Sequence, residues 1–219
     1  MKKYFEVLRN CPLFDRIEDD NLFKMLSCFE AKIVSFDKKY TVIAENSPAK
    51  YVGIVLSGSV DMIRVDYYGN RSIVSRITAS QMFGEAFVCA ELSSMPVSVV
   101  ANEPSEIILI DCSHILHPCA NHCAFHQQII FNIMKELAEK ALDFHRKIEV
   151  VSKRTTREKL MTYLMFTAKK TGKSEFEIPF DRQELADYLE VDRSGLSAEI
   201  SKLRSEGVLE SNKKHFKLL

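Results

Sequence analysis

The stretch DRQELADYLEVDRSGLSAEISKLRSEGVL, residues 181–209, restricts the fold of this chain more than any other. Asp181 is a good helix N-cap, and Glu184 three residues later completes the pattern of a capping box. The first helix then carries a short apolar stripe formed by Leu185 and Leu189. After a tight turn, Asp192 is a second N-cap. The pattern predicts two helices joined as a helix-turn-helix.

The second of these helices sorts into two faces when its residues are placed at about 100° each. The face predicted to be buried holds Leu196, Ile200 and Leu203. The opposite face holds Ser194, Ser197, Ser201 and Ser205, with Arg193 and Arg204 along one flank. Small hydroxyl side chains beside arginine suit the major groove of DNA, where arginine pairs with guanine and serine bonds bases or phosphates. The alternative is an ordinary amphipathic helix with a solvated polar face.

Two short strands, VLES and HFKLL, follow this helix and enclose a basic turn. Such a wing would touch backbone phosphate. The predicted DNA contacts are therefore Arg182, Gln183, Arg193, Ser194, Ser197, Ser201, Lys202, Lys213 and Lys214. For Arg193 the alternative is a structural salt bridge that braces the turn with Glu190.

A 3.5-residue apolar repeat precedes this module and predicts one long helix. Its seam consists of Ile130, Met134, Leu137, Ala141, Phe144, Ile148 and Val151. A repeat that keeps phase over three heptads favours pairing with a second copy of the chain, with residues 130–148 as the dimer interface. The alternative is packing of the helix against its own domain.

The first half of the chain has the pattern of an antiparallel β domain. Asp19 or Asp20 opens a predicted helix, and short β-branched runs at 52–56, 60–65 and 72–77 are then separated by turn residues. We expect an α+β protein in three parts: a jelly-roll-like β-roll at 1–127 that acts as sensor, a dimerisation helix at 128–152 and a winged helix-turn-helix at 153–219. Its 219 residues carry zero formal net charge, so no global field indicates a partner. We find no signal peptide or membrane span and expect a cytoplasmic protein with reduced thiols.

Order and motifs together resemble the Crp/Fnr family of bacterial transcription regulators over nearly the whole chain. RQELADYLEVDRSGLS resembles the family's helix-turn-helix signature, VLSGSV and FGE resemble its β-roll, and TTREKL resembles the start of its DNA-binding domain. The resemblance implies a homodimer that reads a palindromic operator, contacts RNA polymerase if it activates, and pairs Arg193 with guanine. Ser194 and Ala198 replace charged residues of the cyclic-AMP-responsive members, so a different operator is expected.

The resemblance also implies a cyclic-nucleotide pocket, which the residues argue against. Gly84 and Glu85 are present, but the family's Arg-Ser pair falls on Met95 and Pro96, and no Lys or Arg occurs between Ile77 and Met134. A buried phosphate without an opposing charge is very costly. The predicted effector pocket, apolar if it is a pocket at all, comprises Phe83, Gly84, Glu85, Met95, Val97, Phe144 and His145. The alternative is plain β-roll core.

The stretch CSHILHPCANHCAFH, residues 112–126, concentrates cysteine and histidine. On a helix, Cys119, His122, Cys123 and His126 share one face at spacings that suit zinc or iron. Three interpretations stay open: helix packing on the roll, a metal or haem site, and a thiol redox site. No cofactor is certain, and a metal, a haem or a small apolar effector are the candidates. The cysteine cluster of the family's iron–sulfur branch is absent, since only Cys11 and Cys28 lie near the N-terminus.

Two other classes of function are alternatives to a DNA-binding regulator. A cupin-like metalloenzyme would carry histidine ligands on its strands, but no histidine precedes His114, so we expect no enzyme. An interaction module that does not bind DNA is the remaining rival, and a DNA-binding measurement separates it from the regulator.

Overall fold

In the computed structural model, which describes residues 2–111 and 125–219, the central strand is β3 (Tyr51–Ser57). It pairs antiparallel with β6 (Met82–Phe83) and with β8 (Ser105–Asp111), which in turn pairs with β1 (Lys32–Phe36). Val52, Ile54 and Leu56 enter one hydrophobic core, whereas Val55 enters another on the opposite face. Burial on both faces explains why this strand is a continuous apolar run rather than an alternating one.

A second antiparallel sheet faces the first and completes the predicted roll. Its strand order is β2 (Thr41–Ile43), β7 (Ser98–Ala101), β4 (Ser59–Val65) and β5 (Arg71–Thr78). The core between the sheets is formed by Ile43, Val55, Val60, Met62, Ile77, Phe83, Met95, Val97, Val99 and Ile107. It is tightly packed, because a Cβ atom on Gly53 would lie 2.1 Å from Cζ of Phe83.

Helices cover the other face of the first sheet. They are two short 3₁₀ turns (Lys2–Tyr4 and Pro12–Phe14), α1 (Phe5–Arg9), α2 (Asp19–Cys28), α3 (Glu85–Cys89) and the start of the long helix α4 (His126–Val151). Asp19 and Asp20 lie in the first turn of α2, where carboxylates oppose the helix dipole favourably. Leu22 and Leu26 are fully buried, which confirms the helix predicted there.

The C-terminal module follows the predicted order. It consists of α5 (Thr156–Thr171), β9 (Glu175–Glu177), α6 (Arg182–Leu189), α7 (Arg193–Ser205), β10 (Leu209–Asn212) and β11 (His215–Leu218). The three strands form one antiparallel sheet in the order β10-β11-β9. Strand β9 ends at Glu177, two residues before Pro179, which has no N–H to donate to a ladder. The predicted fold class, an α+β protein with a roll, a long helix and a winged helix-turn-helix, is confirmed.

The chain divides into two compact units. One comprises Met1–Arg64 and Val74–Ala141, and the other comprises Val65–Ile73 and Leu142–Leu219. Helix α4 and the hairpin of β4 and β5 therefore each contribute residues to both units. The three-part division at 127 and 152 stays a prediction. Among the described residues, no helix is long and apolar enough to cross a membrane.

Candidate nucleic-acid interface

The helix-turn-helix is fixed at its first helix by reciprocal capping. The backbone N–H of Glu184 donates to Oδ1 of Asp181 at 2.9 Å, and the backbone N–H of Asp181 donates to Oε2 of Glu184 at 2.7 Å. The buried residues of this helix are Leu185, Ala186 and Leu189. The predicted capping box is confirmed, and it satisfies two backbone donors that would otherwise lack partners.

The turn into the second helix uses an uncommon backbone conformation. Glu190 has φ 53° and ψ 56°, in the left-handed region that a non-glycine residue seldom adopts. The backbone N–H of Val191 donates to the carbonyl of Ala186 at 3.1 Å, and Nζ of Lys159 donates to the carbonyl of Glu190 at 3.1 Å. These two bonds hold the turn, and Asp192 then begins the next helix.

Asp192 is the N-cap of α7, as predicted. Its Oδ2 accepts from the backbone N–H of Gly195 at 2.8 Å and also from the hydroxyl of Ser194. These hydrogen bonds, the one from Ser194 first, lower the pKa of the Asp192 carboxyl below its usual value. The start of α7 is therefore rigidly defined, and the residue after the cap is Arg193.

Helix α7 exposes the polar face that the sequence predicts. Leu196, Ile200 and Leu203 are buried, whereas Arg193, Ser194, Ser201 and Lys202 are exposed and Ser197 is half-buried. Within the described ranges, the guanidinium of Arg193 makes no hydrogen bond or ion pair, and none joins it to Glu190. The hydroxyl of Ser201 donates to the carbonyl of Ser197 at 3.0 Å, which leaves its oxygen as an acceptor.

A second brace holds α7 from outside the helix-turn-helix. Arg157, in the first turn of α5, lies with Nη1 at 3.4 Å from Oε1 of Glu199 and Nη2 at 2.5 Å from Oε2 of Glu206. A capping box between Thr155 and Glu158 fixes that first turn. No sequence signal beyond the family motif TTREKL predicts this contact, because the partners are more than forty residues apart.

The remaining predicted contacts have different surroundings. Gln183 is exposed, but Arg182 is half-buried over the ring of Phe216, and its Nη1 is buried without a hydrogen-bond partner among the described residues. Burial lowers the pKa of Arg182. Lys213 and Lys214 are both exposed at the tip of the wing, and Nζ of Lys214 donates to the carbonyl of Pro179 at 3.1 Å. The ammonium of Lys213 makes no hydrogen bond or ion pair among the described residues, so it is available to a phosphate.

The residues predicted to line an effector pocket have two kinds of environment. Phe83, Met95 and Val97 are packed into the core between the sheets, as the alternative interpretation held. Glu85 is buried directly after Gly84, whose φ of 86° and close approach to the carbonyl of Tyr51 require glycine. Phe144 and His145 are exposed on α4 and belong to the other unit.

Arg76 and Lys140 each pair with a buried carboxylate of the roll, and the sequence predicted neither pair. Arg76 of β5 makes a bidentate pair with Asp61 of β4, Nε to Oδ1 at 2.7 Å and Nη2 to Oδ2 at 2.9 Å. Lys140 of α4 donates to Oε1 of Glu85 at 2.6 Å. Lys140 lies outside the cation-free window Ile77–Met134, so only the fold brings it to Glu85.

Of the predicted metal or redox cluster, residues 112–124 lie outside the described residues. His126 is buried at the start of α4. In the ranges that the structure covers, no three side chains of the metal-binding types lie together. The described cysteines include Cys11, which is buried and whose thiol pKa is raised to about 12 by that burial.

The predicted dimer seam is exposed on α4 at most of its positions. Ile130, Met134, Ala141, Phe144 and Ile148 are exposed, with Met134 and Ile148 at 59% and 61%. Leu137 differs, since it is half-buried against the core of its own chain. An exposed apolar row along one helix is a surface that a partner normally covers.

Comparisons with known proteins agree with this geometry. Residues 33–122 match the model of the cyclic nucleotide-binding domain, and residues 158–219 match that of the Crp-like helix-turn-helix domain. A sensor-type roll followed by a winged helix-turn-helix defines a DNA-binding transcription regulator. The chain belongs to the Crp/Fnr family of these regulators.

Solved structures share the fold at low sequence identity. FixK2 from Bradyrhizobium japonicum has a TM-score of 0.68 at 20% identity, covering 86% of this chain and 92% of that one. The c-di-GMP responsive regulator CLP from Xanthomonas campestris has 0.74 at 18%, covering 90% and 98%. A CooA mutant from Carboxydothermus hydrogenoformans has 0.63 at 17%, covering 88% and 85%. No curated protein matches the chain.

Proposed function

We propose that this regulator binds a palindromic operator as a homodimer and reads each half-site through α7, with Arg193 as the base-reading residue. The observation that carries the proposal is an exposed arginine directly after a rigid N-cap, free of partners in the described chain. The N-terminal end of a recognition helix is where base edges come within reach. A bidentate contact with guanine contributes about 1–3 kcal/mol of discrimination.

The test compares Arg193→Ala with Arg204→Ala, which removes the same charge from the exposed far end of α7. Operator and scrambled duplexes are titrated at two salt concentrations. Arg193→Ala should lose about 1–3 kcal/mol of preference for the operator in each half-site, whereas Arg204→Ala should retain that preference. An Arg193→Ala protein that keeps its preference but melts at a lower temperature would make the arginine structural.

The remaining DNA contacts divide into two groups under this proposal. Ser194, Ser197 and Ser201 line the groove-facing side, with Gln183 at the end of α6. Lys202, Lys213 and Lys214 bind phosphate, and Arg182 contributes through its position over Phe216. Lys213→Ala should weaken operator and scrambled DNA equally and reduce the salt slope by about 1.

Dimerisation is proposed to use the seam of α4. The supporting observation is the exposure of Ile130, Met134, Phe144 and Ile148. Ile148→Lys tests it better than a change at Leu137, because Leu137 also contacts its own core. We expect monomers by light scattering and operator affinity reduced by about 10²–10⁴-fold, since two linked half-sites bind together. Glu149→Lys places a lysine at the next exposed position, off the seam, and should remain dimeric although it changes the charge by two units rather than one.

We further propose that DNA binding does not require cyclic AMP. Met95 is buried in the core, and the interior cations Arg76 and Lys140 are paired with Asp61 and Glu85. A nucleotide phosphate would therefore have to displace an existing buried ion pair, which is costly. Calorimetric titration should show no binding in the micromolar range, and a clear isotherm there would overturn this part of the proposal.

A metal-, haem- or thiol-based sensor at Cys119, His122, Cys123 and His126 is the alternative for the first unit. It rests on the spacing of those residues in the sequence. An absorbance spectrum and metal analysis of protein purified without oxygen test it directly. If the regulator activates transcription, RNA polymerase is a further partner.

A further inference from the structure

The corner between β6 and α3 holds a buried carboxylate that depends on one cation. The side chain of Glu85 is only 3% exposed. Its Oε1 accepts a hydrogen bond from Nζ of Lys140 at 2.6 Å, whereas its Oε2 is buried and has no hydrogen-bond partner among the described residues. A buried charge is tolerated only when it is paired, and Lys140 is the cation that pairs with the Glu85 carboxylate.

Lys140 makes its contacts on both sides of the same corner. Besides Glu85, its ammonium donates to the carbonyl of Met82 at 2.6 Å, and Oε1 of Glu136 lies 3.6 Å away, one helical turn earlier. Met82 precedes Gly84 and Glu85 follows it. One lysine therefore connects α4 to the first residue of β6 and to the start of α3.

Apolar packing holds α4 only over its first turns within this unit. Ile129 and Ile133 are buried in the core, and Leu137 is half-buried against it. The residues around Lys140, at positions 138, 139 and 141, are exposed. From residue 138 to 141, the ion pair is thus the described contact that fixes the helix to the roll.

We propose that Lys140 and Glu85 form an internal electrostatic clamp, which holds the segment 134–141 of α4 on the β6–α3 corner in the absence of any added ligand. A buried ion pair adds little stability relative to an apolar pair, but removing one partner is strongly destabilising because the other charge remains buried. The contact is therefore conditional on both charges. A regulator with this clamp holds this segment of its long helix on the roll through its own side chains.

Hydrogen–deuterium exchange on the full chain without DNA tests the clamp. Lys140→Met and Glu85→Gln each remove one charge and nearly preserve shape. Both should accelerate exchange of the amides at 134–141 by at least about tenfold, with exchange in α7 unchanged. Lys135→Met is the matched control, because Lys135 is exposed on the same helix and lies 3.9 Å from Asp15. It should exchange as the unaltered protein does.

The double variant Lys140→Met with Glu85→Gln leaves no uncompensated charge, so its effect should be smaller than the sum of the two single effects. Normal exchange in Lys140→Met, or strictly additive single effects, would overturn the clamp. If the single variants fail to fold, the double variant decides: recovery of the folded protein supports the clamp, and failure of the double variant to fold refutes it. Because exchange is measured without DNA, failure here is distinguishable from failure of the proposed operator reading.

Discussion

The two units differ in how deeply their ion-paired side chains are buried. In the roll, Asp61 and Arg76 are paired at 1% and 5% exposure, and Glu85 is paired with Lys140 at 3% and 25%. In the DNA-binding module, the pair of Arg157 with Glu206 is 38% and 35% exposed. Interior pairs are little screened by salt and fix geometry, whereas exposed charges are screened and remain available to a polyanion. The buried pairs of the roll therefore fix its shape, whereas the exposed charges of the DNA-binding module remain accessible to DNA.

The interior pair of the roll should give the largest effect. Asp61→Asn removes the carboxylate that both Nε and Nη2 of Arg76 contact, and leaves the guanidinium buried. We expect the free energy of unfolding to fall by about 3–5 kcal/mol. Urea denaturation followed by circular dichroism measures it.

The control for Asp61→Asn is an exposed pair in the same unit. Lys50 lies 2.8 Å from Asp111 with its side chain 55% exposed, and Lys50→Gln should leave the urea midpoint unchanged. Equal midpoints for Asp61→Asn and the unaltered protein would remove the contrast between interior and exposed charge.

Local signals account for what the sequence predicts well. Capping by Asp181, Glu184 and Asp192 depends on neighbours three residues apart, so the helix-turn-helix can be recognised without tertiary information. The apolar strands of the roll are visible for the same reason. Pairings such as Lys140 with Glu85 join residues 55 apart, and only the fold reveals them.

Burial of polar residues is the other feature that pattern alone misses. Arg182 follows the N-cap Asp181, and the sequence pattern predicts an exposed cation there. In the structure, however, Arg182 lies over the ring of Phe216 in the wing. Asp61 lies within a β-branched run, where the sequence pattern predicts that a carboxylate faces solvent. In the structure, however, it is only 1% exposed. In both cases the environment comes from an element distant in sequence.

We expect an intermediate effect at the N-cap of α6, where the exposed carboxylate of Asp181 accepts a backbone hydrogen bond. Asp181→Ala loses the bond to the backbone N–H of Glu184. The expected loss is about 1 kcal/mol of unfolding free energy, typical of an N-cap. Asp181→Asn should recover most of it, since asparagine also caps. A loss as large as that of Asp61→Asn would mean that the module, too, depends on its charges for shape.

The smallest effect concerns Lys147, a lysine of the DNA-binding unit that does not follow the rule of exposed charge. Nζ of Lys147 lies 3.6 Å from the centroid of the Tyr188 ring and donates to the carbonyls of Ile73, at 3.2 Å, and of Tyr188. Burial lowers the pKa of Lys147 from 10.5 to about 8, against a smaller opposing effect of Glu190. It is thus a half-buried cation held by carbonyls and a ring.

Stability should therefore change with pH in a direction that identifies this group. Between pH 8 and 10.5 the unfolded chain keeps the Lys147 proton while the folded chain has released it, so unfolding takes up a proton and stability rises with pH. Below pH 8 both states hold the proton and the contribution is flat. From pH 7.5 to 8.5, the unaltered protein should gain about 0.7 kcal/mol relative to Lys147→Met. Staying below pH 9 keeps Cys11 and Tyr188, both with a pKa raised to about 12 by burial, protonated in the fold.

Urea midpoints of both proteins across this range give the difference, with Lys153→Met as a control because Lys153 lies 3.8 Å from Glu149. A difference that stays constant or falls as pH rises would show that Lys147 keeps its charge in the fold, as an exposed lysine does.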